Sequence, residues 1–155
     1  IGSIAPYGYD KDFILDGRKK RPTLKINERE AEAVRLIFNL YVNHNMGMTN
    51  IAHRLNELGY KTRTGILWST ATIKDILANI HYIGKIKWNW RKTVNVVEDG
   101  EISKTRPKAK EYYTFDGKHP AIIDEELFNQ AQAKIGNNAR VKYGKELRNP
   151  LATLV

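Results

Sequence analysis

Apolar positions in this chain recur at two spacings, and the places where the spacing changes mark its elements. Over residues 27–44, Ala31, Val34, Ile37, Phe38, Tyr41 and Val42 fall on one face at helical period. Asn27 stands at the N-cap position, and Glu30 completes a capping-box-like pair three residues on. The charges of this helix are mixed, Glu28, Glu30 and Glu32 against Arg29 and Arg35, which predicts scaffold rather than contact surface. A second helix is expected from a Thr49 cap, with Ile51, Ala52, Leu55 and Leu58 inward and Gly59 as its stop. After a loop at 60–68, Ser69 or Thr70 caps a third helix with the stripe Ile73, Ile76, Leu77 and Ile80. That stripe leaves Thr70, Ala71, Thr72, Lys74, Asp75 and Asn79 toward solvent. The period then becomes two. Ile86, Trp88 and Trp90 share one face of a strand, and Lys85, Lys87, Asn89 and Arg91 share the other. A last helix over 125–137, capped by Asp124, buries Leu127, Phe128, Ala131 and Ile135.

Turn residues connect these segments. Pro6-Tyr7-Gly8-Tyr9 and Asp16-Gly17 predict an ordered turn or short hairpin, with Asp16-Gly17 at its tip. Segments 94–97 and 112–115, with an Asp99-Gly100 turn, continue a small antiparallel sheet around a charged loop at 104–110. The fold class expected is α+β: a helical, helix-turn-helix-like core with a small antiparallel sheet, resembling a winged helix. Residues 1–137 read as one domain. The basic stretch 138–155 (Arg140, Lys142, Lys145, Arg148) lacks periodicity and reads as a linker.

Composition narrows the partner. The chain has 155 residues, enough for one domain with a buried core, and 41% hydrophobic with 28% charged residues is ordinary. A net charge of +9 is not ordinary and favours a polyanion. No apolar run reaches the ~18 residues of a membrane span, and no signal-peptide pattern opens the chain. With no cysteine there is no disulfide framework and no thiolate metal site. Double-stranded DNA as partner and a cytoplasmic, nucleoid-associated location are therefore expected, with no membrane. The chain opens on Ile1 and closes on the apolar segment 151–155, so it reads as a piece of something longer.

Catalytic patterns are missing. His44, His53, His81 and His119 lack metal-ligand spacing, Ser3, Ser69 and Ser103 lack a nucleophile motif, and no glycine-rich phosphate loop appears. Glu125 and Glu126 sit in a first helical turn, where acids favour the macrodipole. No active site and no cofactor are expected in these residues.

Charge concentrates instead between Tyr60 and Lys92, where seven cations face a single acid, Asp75. Thr70, Thr72 and Lys74, near a helix N-terminus, are the candidates for reading base edges, with Arg63 in the preceding loop. Lys61, Lys85, Lys87, Arg91 and Lys92 are candidates for phosphates, as is Ser69 beside the helix N-terminal amides. Arg18, Lys19, Lys20 and Arg21 could follow the backbone, enter a minor groove or be a solvated loop. Two rival readings stay open. One is a winged-helix transcription regulator that dimerises through its terminal helix on a palindrome. The other is single-strand or RNA binding on Trp88, Trp90, Tyr112, Tyr113 and Phe115.

Several motifs also resemble one family in order. Pro6-Tyr7-Gly8-Tyr9, then Asn27-x-x-Glu30-Ala31-x-x-Val34-x-x-Ile37-Phe38-x-x-Tyr41, look like the opening of the recombinase domain of large serine recombinases. Ile51-Ala52-x-x-Leu55-Asn56-x-x-Gly59 and Thr62-x-x-Gly65-x-x-Trp68-Ser69 follow. So do Thr72-Ile73-x-x-Ile76-Leu77-x-Asn79-x-x-Tyr82-x-Gly84 and His119-Pro120-Ala121-Ile122-Ile123. The resemblance implies the middle piece of a site-specific recombinase of a mobile element. A separate N-terminal domain would carry the serine that links to DNA, and a zinc ribbon would follow the chain. It also implies a monomeric fragment from a parent that acts as a dimer or tetramer on DNA.

Overall fold

The computed structural model describes residues 4–88, 93–108 and 113–140. Its elements in order are strands β1 (Tyr9–Asp16) and β2 (Lys19–Ile26), then helices α1 (Glu28–Val42), α2 (Met48–Glu57) and α3 (Thr70–Leu77). A 3-10 turn (Ile80–Ile83) leads to β3 (Lys85–Trp88), β4 (Val94–Glu98), β5 (Glu101–Thr105), β6 (Tyr113–Asp116) and α4 (Glu125–Arg140). The fold is mixed, with helices packed together and small antiparallel ribbons. Among the described residues the strands pair as β1–β2, β3–β6 and β4–β5, three separate two-stranded ribbons rather than one continuous sheet.

Helix α1 is the centre of the core. Ala31, Val34, Ile37, Phe38 and Tyr41 are buried as their spacing predicts, joined by Ala33, while Val42 is only partly covered. Around them close Ile51 and Leu55 of α2, Ile73 and Leu77 of α3, Phe128 and Ala131 of α4, and Tyr9 and Leu24 of the first ribbon. Phe38 meets Tyr82 and Phe128 with ring centroids 6.2 and 6.0 Å apart. The side-chain amide of Gln132 donates to the Leu77 carbonyl, so α4 also caps the end of α3.

Local chemistry explains where the helices start and stop. Asn27 caps α1, its side-chain oxygen accepting from the Glu30 N–H at 3.4 Å. The reciprocal half of the expected capping box does not form, because the Asn27 N–H donates to the Gly8 carbonyl and the Glu30 carboxylate turns elsewhere. Thr49 is not the cap of α2. Gly47 holds that position without a side-chain bond, and the Thr49 hydroxyl lies 3.1 Å from that of Thr70 instead. Helix α2 ends in a Schellman arrangement: Gly59 N–H reaches Asn56 O, and Tyr60 N–H reaches Leu55 O. Gly59 takes φ +81°, and the reversal throws Leu58 outward to 49% exposure, against the expectation that it is buried. Ser69 caps α3, accepting from the Thr72 N–H.

Two ribbons exceed their sequence reading. The basic residues 18–21 belong to an eight-residue-per-strand hairpin, with Lys19, Lys20 and Arg21 paired opposite Asp16, Leu15 and Ile14. The second hairpin turns at Asp99-Gly100 as expected, but its return strand β5 takes in Lys104 and Thr105, where the charge run predicts a loop. Helix α4 continues to Arg140.

Candidate nucleic-acid interface

The loop 58–69 carries the first cations, and it is held firmly. The Asn56 side chain brackets Trp68, donating to its carbonyl at 3.1 Å and accepting from its N–H at 2.8 Å. The buried Trp68 indole donates to the Tyr60 carbonyl and meets the Tyr7 ring edge-on at 5.0 Å. Tyr7 in turn donates its hydroxyl to the Lys61 carbonyl at 2.9 Å. Burial, then the Glu30 carboxylate nearby, pushes the Tyr7 phenol up to about 12, so it stays a donor at neutral pH.

Arg63 bridges this arrangement at its outer edge, with its side chain 35% exposed. Its Nε donates to Glu30 Oε1 at 3.1 Å, and Nη1 to the Ala5 carbonyl at 2.8 Å. Its Nη2 reaches the Tyr9 carbonyl at 2.7 Å, the Pro6 carbonyl at 3.4 Å and Glu30 Oε2. The Glu30 carboxylate also accepts from the Gly8 N–H at 2.9 Å. The hydrogen bond to Glu30 is the main reason the Arg63 pKa is raised further. With its fork engaged this way, Arg63 has most of its donors committed to protein acceptors rather than open to a base edge. The signal was indirect: Glu30 looked like a capping-box acid, and nothing in the sequence placed it beside residue 63.

Helix α3 presents Thr70, Ala71, Lys74 and Asp75 exposed and Thr72 half-buried, and Asn79, which caps the 3-10 turn beyond it, is half-buried too. The hydroxyls at the N-terminal end of α3 are engaged in two separate pairs: Thr70 with Thr49 of α2 at 3.1 Å, and Ser69 with Thr72 at 3.0 Å. Each hydroxyl keeps a lone pair or a proton for a further partner. Beside this helix lies a hollow lined by Lys74, Asp75, Asn79, His81, Lys87 and Lys108, among others. It gathers cations from α3, from β3 and from the segment after β5.

On β3 the alternation sorts faces as expected. Ile86 stands opposite Phe115, and Lys87 opposite Thr114, so the apolar and the basic positions occupy opposite faces. Phe115 and Tyr113 are exposed. Lys85 is partly committed, because its ammonium lies 2.7 Å from Glu125 of α4, and that hydrogen bond raises its pKa. Arg21 pairs with Asp16 at 2.8 Å on the first hairpin, while Arg18, Lys19, Lys20 and Lys61 are exposed. Trp90, Arg91, Lys92 and Tyr112 lie outside the described residues, as do positions 141–155 of the stretch 138–155 that the sequence reads as a linker.

A second hollow adds a cation the sequence reading set aside. Arg29, on the helix assigned as scaffold, lines it together with Tyr7, Glu30, Lys61, Thr62 and Arg63. Mixed charge along α1 hid it, because a one-dimensional tally does not say which residue faces which loop.

Two of the four histidines, His81 and His119, are bonded into the fold, while His44 and His53 are exposed. His119 Nε2 donates to the His81 carbonyl at 2.8 Å, and His81 Nδ1 donates to Asn79 Oδ1 at 2.7 Å. Burial, then His119 and Lys87 nearby, lower the His81 pKa to about 4, so its ring is neutral at physiological pH. The Tyr9 hydroxyl approaches both the His81 and Pro120 carbonyls, and Ile122 and Ile123 donate to the Tyr82 carbonyl. The late His-Pro-Ala-Ile-Ile segment thus fastens the 3-10 turn to the first hairpin. No group of three or more candidate metal-ligating side chains occurs among the described residues. None of the described helices is long and apolar enough to cross a membrane.

Fold and surface together define a basic helix-and-ribbon fold in which cations of α3, β3 and the segment after β5 line one hollow. The family model Recombinase matches residues 28–138, and the chain belongs to that family. It is 31% identical over 144 residues to a Bacillus subtilis (strain 168) protein named "Putative DNA recombinase", an alignment covering 86% of this chain and 27% of that protein. The chain thus spans about a quarter of that relative's length. Two solved structures share the fold. "Crystal Structure of a LSR-DNA Complex" has a TM-score of 0.54 at 24% identity, covering 90% of this chain and 33% of that one. "Sequence Requirements of the Listeria innocua prophage attP site" has a TM-score of 0.53, also at 24% identity, covering 96% and 51%.

Proposed function

We propose that this chain is a duplex-DNA-binding domain of a site-specific serine recombinase, and that it recognises part of an attachment site. The observation that carries the reading is the convergence of Lys74, Lys87 and Lys108 on one hollow beside α3. Cations from three separate segments around a helix with an exposed N-terminal end suit a phosphate backbone flanking a groove. Membership of the Recombinase family and the DNA-complex relatives support it. In this reading α3 enters the major groove, with Thr70, Thr72 and Lys74 toward base edges. Lys61, Lys87 and the exposed cations of the first hairpin hold phosphates. Ser69 and Lys85 contribute less, one being a cap and the other paired with Glu125.

The α2–α3 pair works as a variant of a helix-turn-helix. Its connection, 58–69, is longer than the ~3–4-residue turn of that motif, and Trp68 and Arg63 supply the rigidity a short turn would have given. Strand exchange through a serine, and a zinc ribbon, belong to other parts of the parent in this proposal, which acts in the cytoplasm. The fragment alone binds as a monomer.

Selection on random duplex DNA, read at two salt concentrations, tests the proposal. An enriched asymmetric motif with a steep salt dependence supports it, and Lys87→Ala should then reduce the salt slope by about one unit across all sequences. An enriched palindrome bound by a dimer would favour a transcription regulator instead. Absence of duplex binding at low salt would refute DNA recognition outright.

A further inference from the structure

Arg63 is the most heavily bonded cation of the described chain, and DNA recognition as read above gives it nothing to do. Its guanidinium ties three parts of the fold together. It holds the carbonyls of Ala5, Pro6 and Tyr9 in the segment entering β1, both oxygens of Glu30 on α1, and by its own backbone the loop 58–69. That loop carries Lys61, and the hollow beside it is lined by Arg29, Lys61 and Tyr7. Glu30 is the nearby acid that would oppose an anion there, and Arg63 binds it bidentately. A planar five-donor fork does both jobs at once, which a lysine could not.

We infer that Arg63 is a positioning residue: by clamping Glu30 and the entering segment it fixes Lys61 beside Arg29 as a two-cation seat for one phosphate of the DNA backbone. The inference rests on the duplex-DNA reading of the preceding subsection. Arg63 itself does not touch the nucleic acid. Two effects favour the seat. The clamp removes the loop's freedom before binding, so that ordering is not charged to the complex. It also neutralises Glu30, so the local field is set by Arg29 and Lys61. Tyr7 is the second tether, since its hydroxyl holds the Lys61 carbonyl from the other side at 2.9 Å.

The test is a double-mutant cycle on the full chain, with duplex affinity measured across a salt series. Lys61→Ala should lower the salt slope by about one unit, the value for one phosphate contact. Arg63→Met should lower it by about the same amount, and Arg63→Met with Lys61→Ala should lower it no further. Slopes that add to about two units would make Arg63 a direct phosphate contact and overturn the positioning role while leaving DNA binding intact. Full recovery of affinity in Arg63→Met with Glu30→Gln would also overturn it, because charge alone would then explain the loss. Should Arg63→Met not fold, Tyr7→Phe removes only a hydroxyl from the tether. It should weaken binding severalfold in the parent and leave Lys61→Ala unaffected, and an equal effect in both backgrounds overturns the inference. A parent chain without duplex affinity would sink the DNA reading itself, and this inference with it.

Discussion

Gly8 offers the sharpest check on how the core is assembled. It takes φ +95°, a region where side chains with a Cβ are strained. A Cβ built there would lie 3.0 Å from Ile122 Cδ1, 3.2 Å from Val34 Cγ2 and 3.5 Å from Tyr82 Cε1. Gly8→Ala therefore meets two penalties. Backbone strain costs about 1–2 kcal/mol, and overpacking costs about 1–3 kcal/mol. Reduced freedom of the unfolded chain returns about 0.4–1 kcal/mol. The net loss is about 3 kcal/mol. Gly17 is the control, because its φ is +63° but nothing lies within 4 Å of its Cβ position. Gly17→Ala carries strain alone and should cost about 1 kcal/mol or less.

Urea denaturation followed by far-UV circular dichroism separates them. With a denaturant slope of about 2 kcal/mol/M, Gly8→Ala should lower the midpoint by about 1.5 M, and Gly17→Ala by less than about 0.5 M. The slope itself should not change. Equal midpoints for the two variants would refute the argument, since they differ chiefly in whether the hairpin base packs on α1, the 3-10 turn and the His-Pro segment.

Three further outcomes are expected. His81 has its pKa lowered to about 4 in the fold, so the unfolded chain, with an ordinary histidine near 6.5, takes up the proton first. Its contribution is complete above pH 6.5 and is lost as pH falls from there toward 4, about 1–2 kcal/mol after discounting the part-exposed ring. Chemical denaturation at stepped pH should show the decline, and a His81→Asn chain should show less of it. Phe38→Ala should cost about 3–5 kcal/mol by calorimetry or urea, because Phe38 is fully buried between Tyr82 and Phe128. Ser69→Ala should cost about 1 kcal/mol through loss of the α3 cap, and a midpoint equal to the parent's would remove the cap from the account.

The helices were legible because each is amphipathic and carries its own punctuation. Asn27, Ser69 and Gly59 act locally, and a local signal survives in one dimension. Thr49 and Glu30 misled for the opposite reason. Each has a residue type suited to a cap, but a partner distant in sequence, Thr70 or Arg63, outcompetes the local bond. Leu58 was placed inside by continuing a helical stripe one residue past the turn that ends it. Ribbon pairing was the least readable, since the partner of β3 is β6 across the intervening β4–β5 hairpin, and period-two segments do not name their neighbours.

Charge shows the same distinction between what a sequence totals and what a fold arranges. The net +9 predicts a polyanion but not the face it meets. Folding commits Arg21 to Asp16, Arg35 to Glu28, Arg54 to Glu57, Arg63 to Glu30 and Lys85 to Glu125. It also places acids where a phosphate backbone would be repelled. Glu98 and Glu101 stand directly opposite each other beside Asp99 at the tip of the β4–β5 hairpin, an arrangement of like charge. The hairpin most like a wing in outline is thus the one whose tip is least suited to DNA. The strand suited to phosphates is β3, whose Lys87 reaches the same hollow as Lys74 of α3. The placement of charges in space, rather than their sum, brings Lys74, Lys87 and Lys108 to one hollow and Arg29 and Lys61 to another.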